Sequence, residues 1–381
     1  MGQTKRGYLP TLDGWRAIAI LAVIADHGTG YMLQGRFPRL LEITRSGPNG
    51  VSLFFAISGF LICSRLIEEF QTMGHVSLSG FYIRRASRIL PPALAYLIFV
   101  GILAVIGIIN VTSREWWSCV FFFRNYLPPS LITKGWGGYT IHYWSLAVEE
   151  HFYLIWPALL ALSGIKRARW WAAGLAVTIA FWRSWDFRHH FVDHHIPGLL
   201  FASRTDVRLD GLLVGCLAAL LLSDPHWRHL FLRLMRSWLW TGCVLFYVAL
   251  QVYYRRHYYT LLESILLAVI VATTVLRPGT FVGRFLELSW MRWVGRLSYS
   301  LYLWQQFFFV PGAKYPFNWL QVFPLNVVLL FGAAALSYKF VERPMIRLGH
   351  KLAPPPTPGR QDIDSVPVPV GSSVETMIAS G

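Results

Sequence analysis

Apolar residues in this chain gather into long runs separated by short polar segments. Ten runs stand out: Gly14–Leu33, Val51–Leu66, Ile89–Ile109, Trp144–Leu162, Trp170–Trp182, Leu209–Leu222, Trp238–Tyr253, Leu261–Leu276, Leu297–Pro311 and Phe323–Phe340. No stretch shows the strict alternation of a half-buried strand, so the pattern predicts helices throughout. A helix that crosses a bilayer needs about 20 predominantly apolar residues. Most runs approach that length, and the predicted fold is all-α: a polytopic transmembrane helix bundle of about ten spans. The fifth and sixth runs are short. They either extend into their flanks or form a re-entrant pair, and dropping both keeps the termini on one side. The first run has no A-x-A cleavage site and is interrupted by Arg16, Asp26 and His27, unlike a secretory signal.

Composition sharpens this picture. Hydrophobic residues make up 55% and charged residues 14%, against about 25% charged in ordinary globular chains. Mean hydropathy is +0.44. So few charges do not cover the surface of a water-soluble enzyme of 381 residues. The net charge of +16 does not point to nucleic acid, because Lys and Arg sit in short clusters between the apolar runs, where they meet lipid headgroups and set topology. With the N-terminus inside, loop basic residues divide 18 to 13 in favour of that side, which predicts N-in and C-in. Trp116-Trp117, Trp170-Trp171, Trp238, Trp240, Trp290 and Trp293 lie at run edges, as interfacial anchors do. Cys63, Cys119, Cys216 and Cys243 have no CxxC spacing, so neither a disulfide framework nor a zinc site is expected. Residues 1–350 read as one transmembrane domain. Residues 351–381, rich in Pro, Ser and Val, read as a disordered tail.

Ionisable groups inside a span are costly and therefore candidates for function. In the first run, Arg16 and His27 are eleven residues apart. That is about 20° beyond three full helical turns and about 16 Å along the axis, so both share one face. Arg16 falls near the cytoplasmic boundary and His27 deeper, where a neutral imidazole can act as a general base; the plainer reading is a buried histidine bonded to a neighbouring helix. Ser58-Gly59 is either a small-residue contact between helices or a polar group for substrate. Pro91-Pro92 suits the first turn of the third span. Arg84, Arg85 and Arg88 precede it and converge on one face if helical, as phosphate ligands or as a positive-inside anchor. Ser145, Glu149, Tyr153 and Trp156 form one polar-aromatic stripe, from which Glu149 is placed to charge-balance an imidazolium, with Glu150 about 100° away. RHHFVDHH (Arg188–His195) lacks a helical H-x3-H frame, and no functional metal is expected there. RLSYSLYLWQQF (Arg296–Phe307) and VERP (Val341–Pro344) add polar groups near the last two runs.

Together these segments resemble the integral-membrane acyltransferase family 3, whose members O-acylate sugars of lipopolysaccharide, exopolysaccharide, peptidoglycan and nodulation factors, and some macrolide antibiotics. The resemblance runs from about Tyr8 to Arg347 and rests on five signatures in order: Arg16-x10-His27, FFxxSGFLI at Phe54–Ile62, RRxxRIxP at Arg84–Pro91, WSLxxEExFYLxxP at Trp144–Pro157, and SYSLYLW with the late ERP. It implies that His27 is the essential imidazole and Arg16 its motif partner, that Arg85 and Arg88 handle acyl-coenzyme A on the cytoplasmic side, and that Glu149 matches the family glutamate. Gln305 stands where many relatives carry histidine. Some relatives add a C-terminal SGNH hydrolase-like domain, not expected here because only about 40 residues follow the last run.

The reading is a multi-pass enzyme of the bacterial inner membrane. It moves an acyl group, acetyl above all, from acyl-CoA (acetyl-CoA) to a hydroxyl of a carbohydrate or lipid-linked glycan. His27, Glu149 and Arg16 are the catalytic candidates. Arg84, Arg85 and Arg88 are assigned to the donor, and Ser58 and Tyr153 to substrate. Expected partners are the acceptor and the bilayer, with no nucleic acid and no metal. Two alternatives stand beside it: a macrolide-type small-molecule acyltransferase, and a proton-coupled carrier, against which there is no repeat of Gly- or Pro-broken helices in the two halves.

Overall fold

The computed structural model describes residues 9–32, 47–128, 131, 138–253, 261–309 and 318–354. Most of the tail predicted for 351–381 lies outside the described residues. Among those described there are helices and no strand. The core is apolar but takes in buried polar groups, and further bulky apolar groups lie outside. Ser300 and Gln305 have no exposed surface, whereas Val105 is 88% and Leu162 87% exposed. Apolar outer surface with polar groups held inside suits a lipid environment.

Helix α1 (Pro10–Met32) opens with proline at its first position, where the missing N–H is harmless, and with Asp13 in its first turn. Helix α2 (Gly47–Met73) follows, then α3 (Leu78–Val105) and the short α4 (Ser113–Val120), opened by a Thr112/Glu115 capping box. Helix α5 (Tyr143–His189) is two helices joined at Gly164, whose φ of 72° suits glycine alone. Its arms, 143–163 and 165–189, hold the fourth and fifth runs, so the fifth extends into its flanks. After α6 (Phe191–His195) and α7 (Thr205–Arg208) come α8 (Asp210–Leu222), α9 (Pro225–Leu234), α10 (Ser237–Tyr253), α11 (Leu261–Leu276), α12 (Phe281–Leu286) and α13 (Ser289–Phe308). Helix α14 (Leu325–Ser337) passes through a π turn at Tyr338–Glu342 into α15 (Arg343–Leu352).

Length and apolarity alone qualify three stretches as membrane spans: Pro48–Met73, Leu78–Val105 and Leu325–Leu352. Asp210–Leu222, Ser237–Gln251 and Leu261–Leu276 are apolar but shorter. Helices such as α1, with Asp13, Arg16 and Asp26, are made less apolar by charges directed inward.

Helix α3 corrects one expectation. It begins at Leu78, where Ser77 caps it by accepting from the Gly80 N–H at 3.2 Å. Pro91 and Pro92 are therefore in mid-helix, and Arg84, Arg85 and Arg88 belong to the same continuous helix. The prolines leave helix carbonyls without their usual donors. Beside them the Tyr299 hydroxyl donates to the Ile89 carbonyl at 2.8 Å. The first arm of α5 runs antiparallel to α3, with Tyr82 OH donating to Leu154 O at 2.7 Å and Tyr143 OH to Ala93 O at 2.8 Å. The second arm runs antiparallel to α8, pairing Arg183 with Asp210 at 2.9 Å and Arg169 with Asp224 at 3.2 Å.

Glycines set the closest helix approaches. A Cβ on Gly59 would lie 2.0 Å from the Leu212 carbonyl oxygen, and one on Gly215 would lie 2.4 Å from that of Ala56, so α2 and α8 meet backbone to backbone. Gly59→Ala forces two backbones apart and is expected to destabilise by about 1–3 kcal/mol or more. Gly242→Ala, on an exposed face of α10 with open space around it, is expected to stabilise by about 0.5–1 kcal/mol. Thermal midpoints of the two purified variants in detergent check the contrast, and a Gly59→Ala midpoint equal to wild type refutes the packing account.

Candidate active site

Among the described residues, two cavities hold groups singled out in the sequence. The first, of about 80 Å³, is lined by Arg16 of α1, Ser58 of α2, Arg85 and Arg88 of α3, Ser145, Glu149 and Tyr153 of α5, and Tyr299 and Tyr302 of α13, among others. Six of the eight residues singled out in the sequence thus face one space. The stripe spacing on α5 explains part of this convergence, since positions four apart share a helix face. Glu149 accepts hydrogen bonds from Tyr153 OH at 2.6 Å and Ser58 Oγ at 3.2 Å, and the Arg85 guanidinium lies over the Tyr153 ring at 4.7 Å. Three guanidiniums and one carboxylate line this cavity, Arg16 also pairing with Asp13 at 3.6 Å, and the arginines offer N–H donors to an anionic ligand. Ser58 and Gly59 divide the two roles weighed for them: the serine faces the cavity and the glycine packs on α8.

Arg84 is not in this cavity. Its Nη2 pairs with Glu69 at 3.0 Å, and Glu69 also accepts from the Ser77 N–H at 2.9 Å. One turn in which Arg85 and Arg88 point inward turns Arg84 toward the start of α3. Glu150 is likewise absent from the lining.

The second cavity, of about 350 Å³, contains His27 and Asp26 of α1, Arg124, His142, Trp144, Phe201, Ser203 and Gln306. The His27 Nδ1 lies 3.1 Å from Gln305 Oε1. Val51 and Tyr302 line both cavities and form the septum between them. Tyr302 OH donates to the His142 carbonyl at 3.0 Å and is 2.5 Å from Ser145 Oγ. Arg16 and His27, on one face of α1 and three turns apart, therefore serve opposite sides of one partition.

This arrangement departs from the sequence reading at a second point besides Arg84. Glu149 was expected to balance a charged His27, but it faces the first cavity with Tyr153 and Ser58, while Gln305 is the residue bonded to the imidazole. With the amide oxygen toward the ring, Nδ1 carries the proton and Nε2 keeps its lone pair. Gln305→Leu removes that orienting contact and is expected to lower kcat about tenfold, with the donor KM little changed. Gln305→Glu, which keeps an acceptor oxygen there, should retain more of the rate; equal losses in the two variants contradict an orienting role.

Sequence reasoning passed over Tyr302, His142, Arg124 and Gln306. Tyr302 was inside the quoted SYSLYLW run and His142 two residues before Trp144, so position near a motif was the available signal. Arg124 had none beyond its membership of a loop. Two late motifs also meet: Ser300 Oγ of SYSLYLW donates to Glu342 of ERP at 2.7 Å, and Glu342 lies in the π turn. In the His-rich segment, His194 and His195 bond back to the carbonyls of His190 and Phe191 at 2.8 and 2.7 Å.

Comparison with known proteins identifies the family. The family model described as an acyltransferase domain matches residues 9–341. A peptidoglycan O-acetyltransferase, OatA, of Listeria monocytogenes is 28% identical over 379 residues, covering 91% of this chain and 57% of the relative. A putative O-acetyltransferase of Staphylococcus aureus strain COL is 28% identical over 376 residues, covering 91% and 59%. An O-acetyltransferase OatA of S. aureus strain NCTC 8325 is 27% identical over 373 residues, covering 90% and 58%. The chain thus spans between half and two thirds of the length of these relatives. No solved structure matches. With the family model covering the first four signatures, the SYSLYLW run and both cavities, the chain belongs to the acyltransferase domain family.

Proposed function

We propose that the chain is a membrane O-acyltransferase that takes an acyl group, acetyl in the first instance, from acyl-coenzyme A and places it on a hydroxyl of a carbohydrate. One observation carries this reading: an arginine-lined cavity and an imidazole cavity share a thin partition, and the Arg16 and His27 of one helix serve its two sides. In this reading the ten helices that hold the apolar runs alternate across the bacterial inner membrane, with N-in and C-in ends. The arginine-lined cavity then opens toward the cytoplasm, where Arg16, Arg85 and Arg88 receive the phosphates of the donor. The names of the relatives support a cell-wall glycan as acceptor, free or lipid-linked.

The thioester end reaches the partition and the acceptor hydroxyl approaches from the His27 cavity. His27 Nε2 takes the hydroxyl proton as the oxygen forms its bond to the acyl carbon. The C–S bond breaks, the electron pair leaves on sulfur, and the proton passes from the imidazolium to the thiolate, giving ester and free coenzyme A. Glu149, held by Tyr153 and Ser58, keeps the arginine cluster in place for the donor.

Proteoliposomes holding the full chain, given acetyl-CoA and a cell-wall glycan mixture, test the reaction class. Free thiol should appear in step with acetylated acceptor. Folded protein that moves a solute and releases no thiol with any donor would be a carrier, and the proposal would fall.

A further inference from the structure

The cavity that holds His27 contains two buried polar side chains that the transfer step leaves without a task. Arg124 is 3% exposed; its Nε donates to Thr140 Oγ1 at 3.3 Å, and its Nη2 has no hydrogen-bond partner. No carboxylate among the described residues comes within ion-pair distance of it. Glu115, a buried acid in the same region, holds the Thr112 N–H and hydroxyl instead, at 2.8 and 3.0 Å. His142 is 2% exposed, edge-on to the rings of Tyr96 and Tyr302, and neither of its ring nitrogens makes a hydrogen bond of good geometry. A buried guanidinium that makes no ion pair and leaves one nitrogen unmet is unfavourable, with Glu115 acting on it only from beyond ion-pair distance, and a buried imidazole with no well-formed hydrogen bond adds to it. Both face one cavity of a size that ordinarily takes a small-molecule ligand.

We infer that Arg124 and His142 form an anion subsite of the acceptor chamber, and that it takes the carboxylate of an acidic sugar. This rests on the proposed function, which puts the acceptor in the His27 cavity. A carboxylate is acceptor-only and matches two donors, a guanidinium N–H and an imidazole N–H. A single cation suits a singly charged group rather than a polyphosphate. Trp144 and Phe201 line the same cavity and add apolar surface for a sugar ring. Asp26 lies beside His27 on α1 and repels a carboxylate there, so the acidic group is directed to Arg124 and a hydroxyl to His27.

The test uses the full chain in proteoliposomes with acetyl-CoA and two acceptors, a glucuronate-containing oligosaccharide and the same oligosaccharide with its carboxyl groups reduced to alcohols. Wild type should favour the acidic acceptor. In Arg124→Gln the ratio of kcat/KM between the two should fall about 10- to 100-fold, with the change mainly in KM. His142→Gln should shift the ratio the same way by less, and Arg124→Lys should retain part of it. Because each variant is compared with itself on two acceptors, a loss of folded protein cancels. A ratio unchanged in Arg124→Gln, with both activities reduced alike, overturns the subsite, as does a wild-type preference for the reduced acceptor. If neither acceptor elicits His27-dependent thiol release, the proposed function fails first and this inference with it.

Discussion

Replacing His27 with alanine is expected to lower acceptor-dependent release of coenzyme A by about 10²–10⁴-fold, the range that a positioned general base supplies. The expectation follows from geometry. Among the groups on the larger cavity, His27 is the imidazole whose Nδ1 is already engaged, by Gln305 at 3.1 Å. Its Nε2 is thereby left as a base. His142 shares the cavity but is enclosed by tyrosine rings. The loss should fall on kcat, because His27 lies across the partition from the arginines that face the donor, and acetyl-CoA binding measured at equilibrium should persist. His27→Gln, which holds a similar shape without a usable base, should resemble alanine. Activity within a few-fold of wild type in both variants removes His27 from the proton transfer and leaves the reaction class to be carried by other groups.

How far the sequence discloses this site depends on which interactions are local. The shared face of Arg16 and His27 follows from helical geometry alone, and so does the inward stripe of Ser145, Glu149 and Tyr153, since both are statements within one helix. The all-helical fold is equally legible from run length. What failed to show was the partner of each group across helices. Glu149 pairs with His27 on the sequence reading because an acid and an imidazole make a familiar pair, yet Val51 of α2 and Tyr302 of α13 stand between their cavities. Arg84 was grouped with Arg85 and Arg88 by proximity, whereas its neighbour Glu69, fifteen residues earlier, draws it to the end of α3. Pro91 and Pro92 read as a helix start because prolines favour that position. The true start is set by the Ser77 cap, and tyrosine hydroxyls from α5 and α13 reach the carbonyls around the pair. Arg124 is a single polar residue with no periodic signature, and Gln306 stands in the RLSYSLYLWQQF run with nothing to set it apart, so tertiary packing reveals the place of both.

The septum supplies the second large effect. Tyr302 is tethered by Ser145 and by the His142 carbonyl, so its ring is the fixed side of the partition. Val51 carries no such tether, is 7% exposed and faces both cavities, which makes it the side where an acyl group would pass. Val51→Trp fills that passage. Transfer is expected to fall by about 10²-fold or more, because displacing the reacting carbon from the base by an ångström or so is already that costly. Donor binding should survive, since Arg16, Arg85 and Arg88 lie on the cytoplasmic side of the plug in the proposed orientation. Val51→Ala serves as the counterpart: it widens the passage, loses little packing volume and should keep transfer while accepting longer acyl chains more readily. The diagnostic is the pair of measurements, equilibrium binding of labelled acetyl-CoA and acceptor-dependent thiol release, made on both variants with matched thermal midpoints. Binding retained and transfer lost in Val51→Trp, with both retained in Val51→Ala, locates the crossing between Val51 and Tyr302. Transfer at wild-type rate through a tryptophan at that position means that acyl group and base meet by another path, and the two cavities are then not consecutive stations of one reaction.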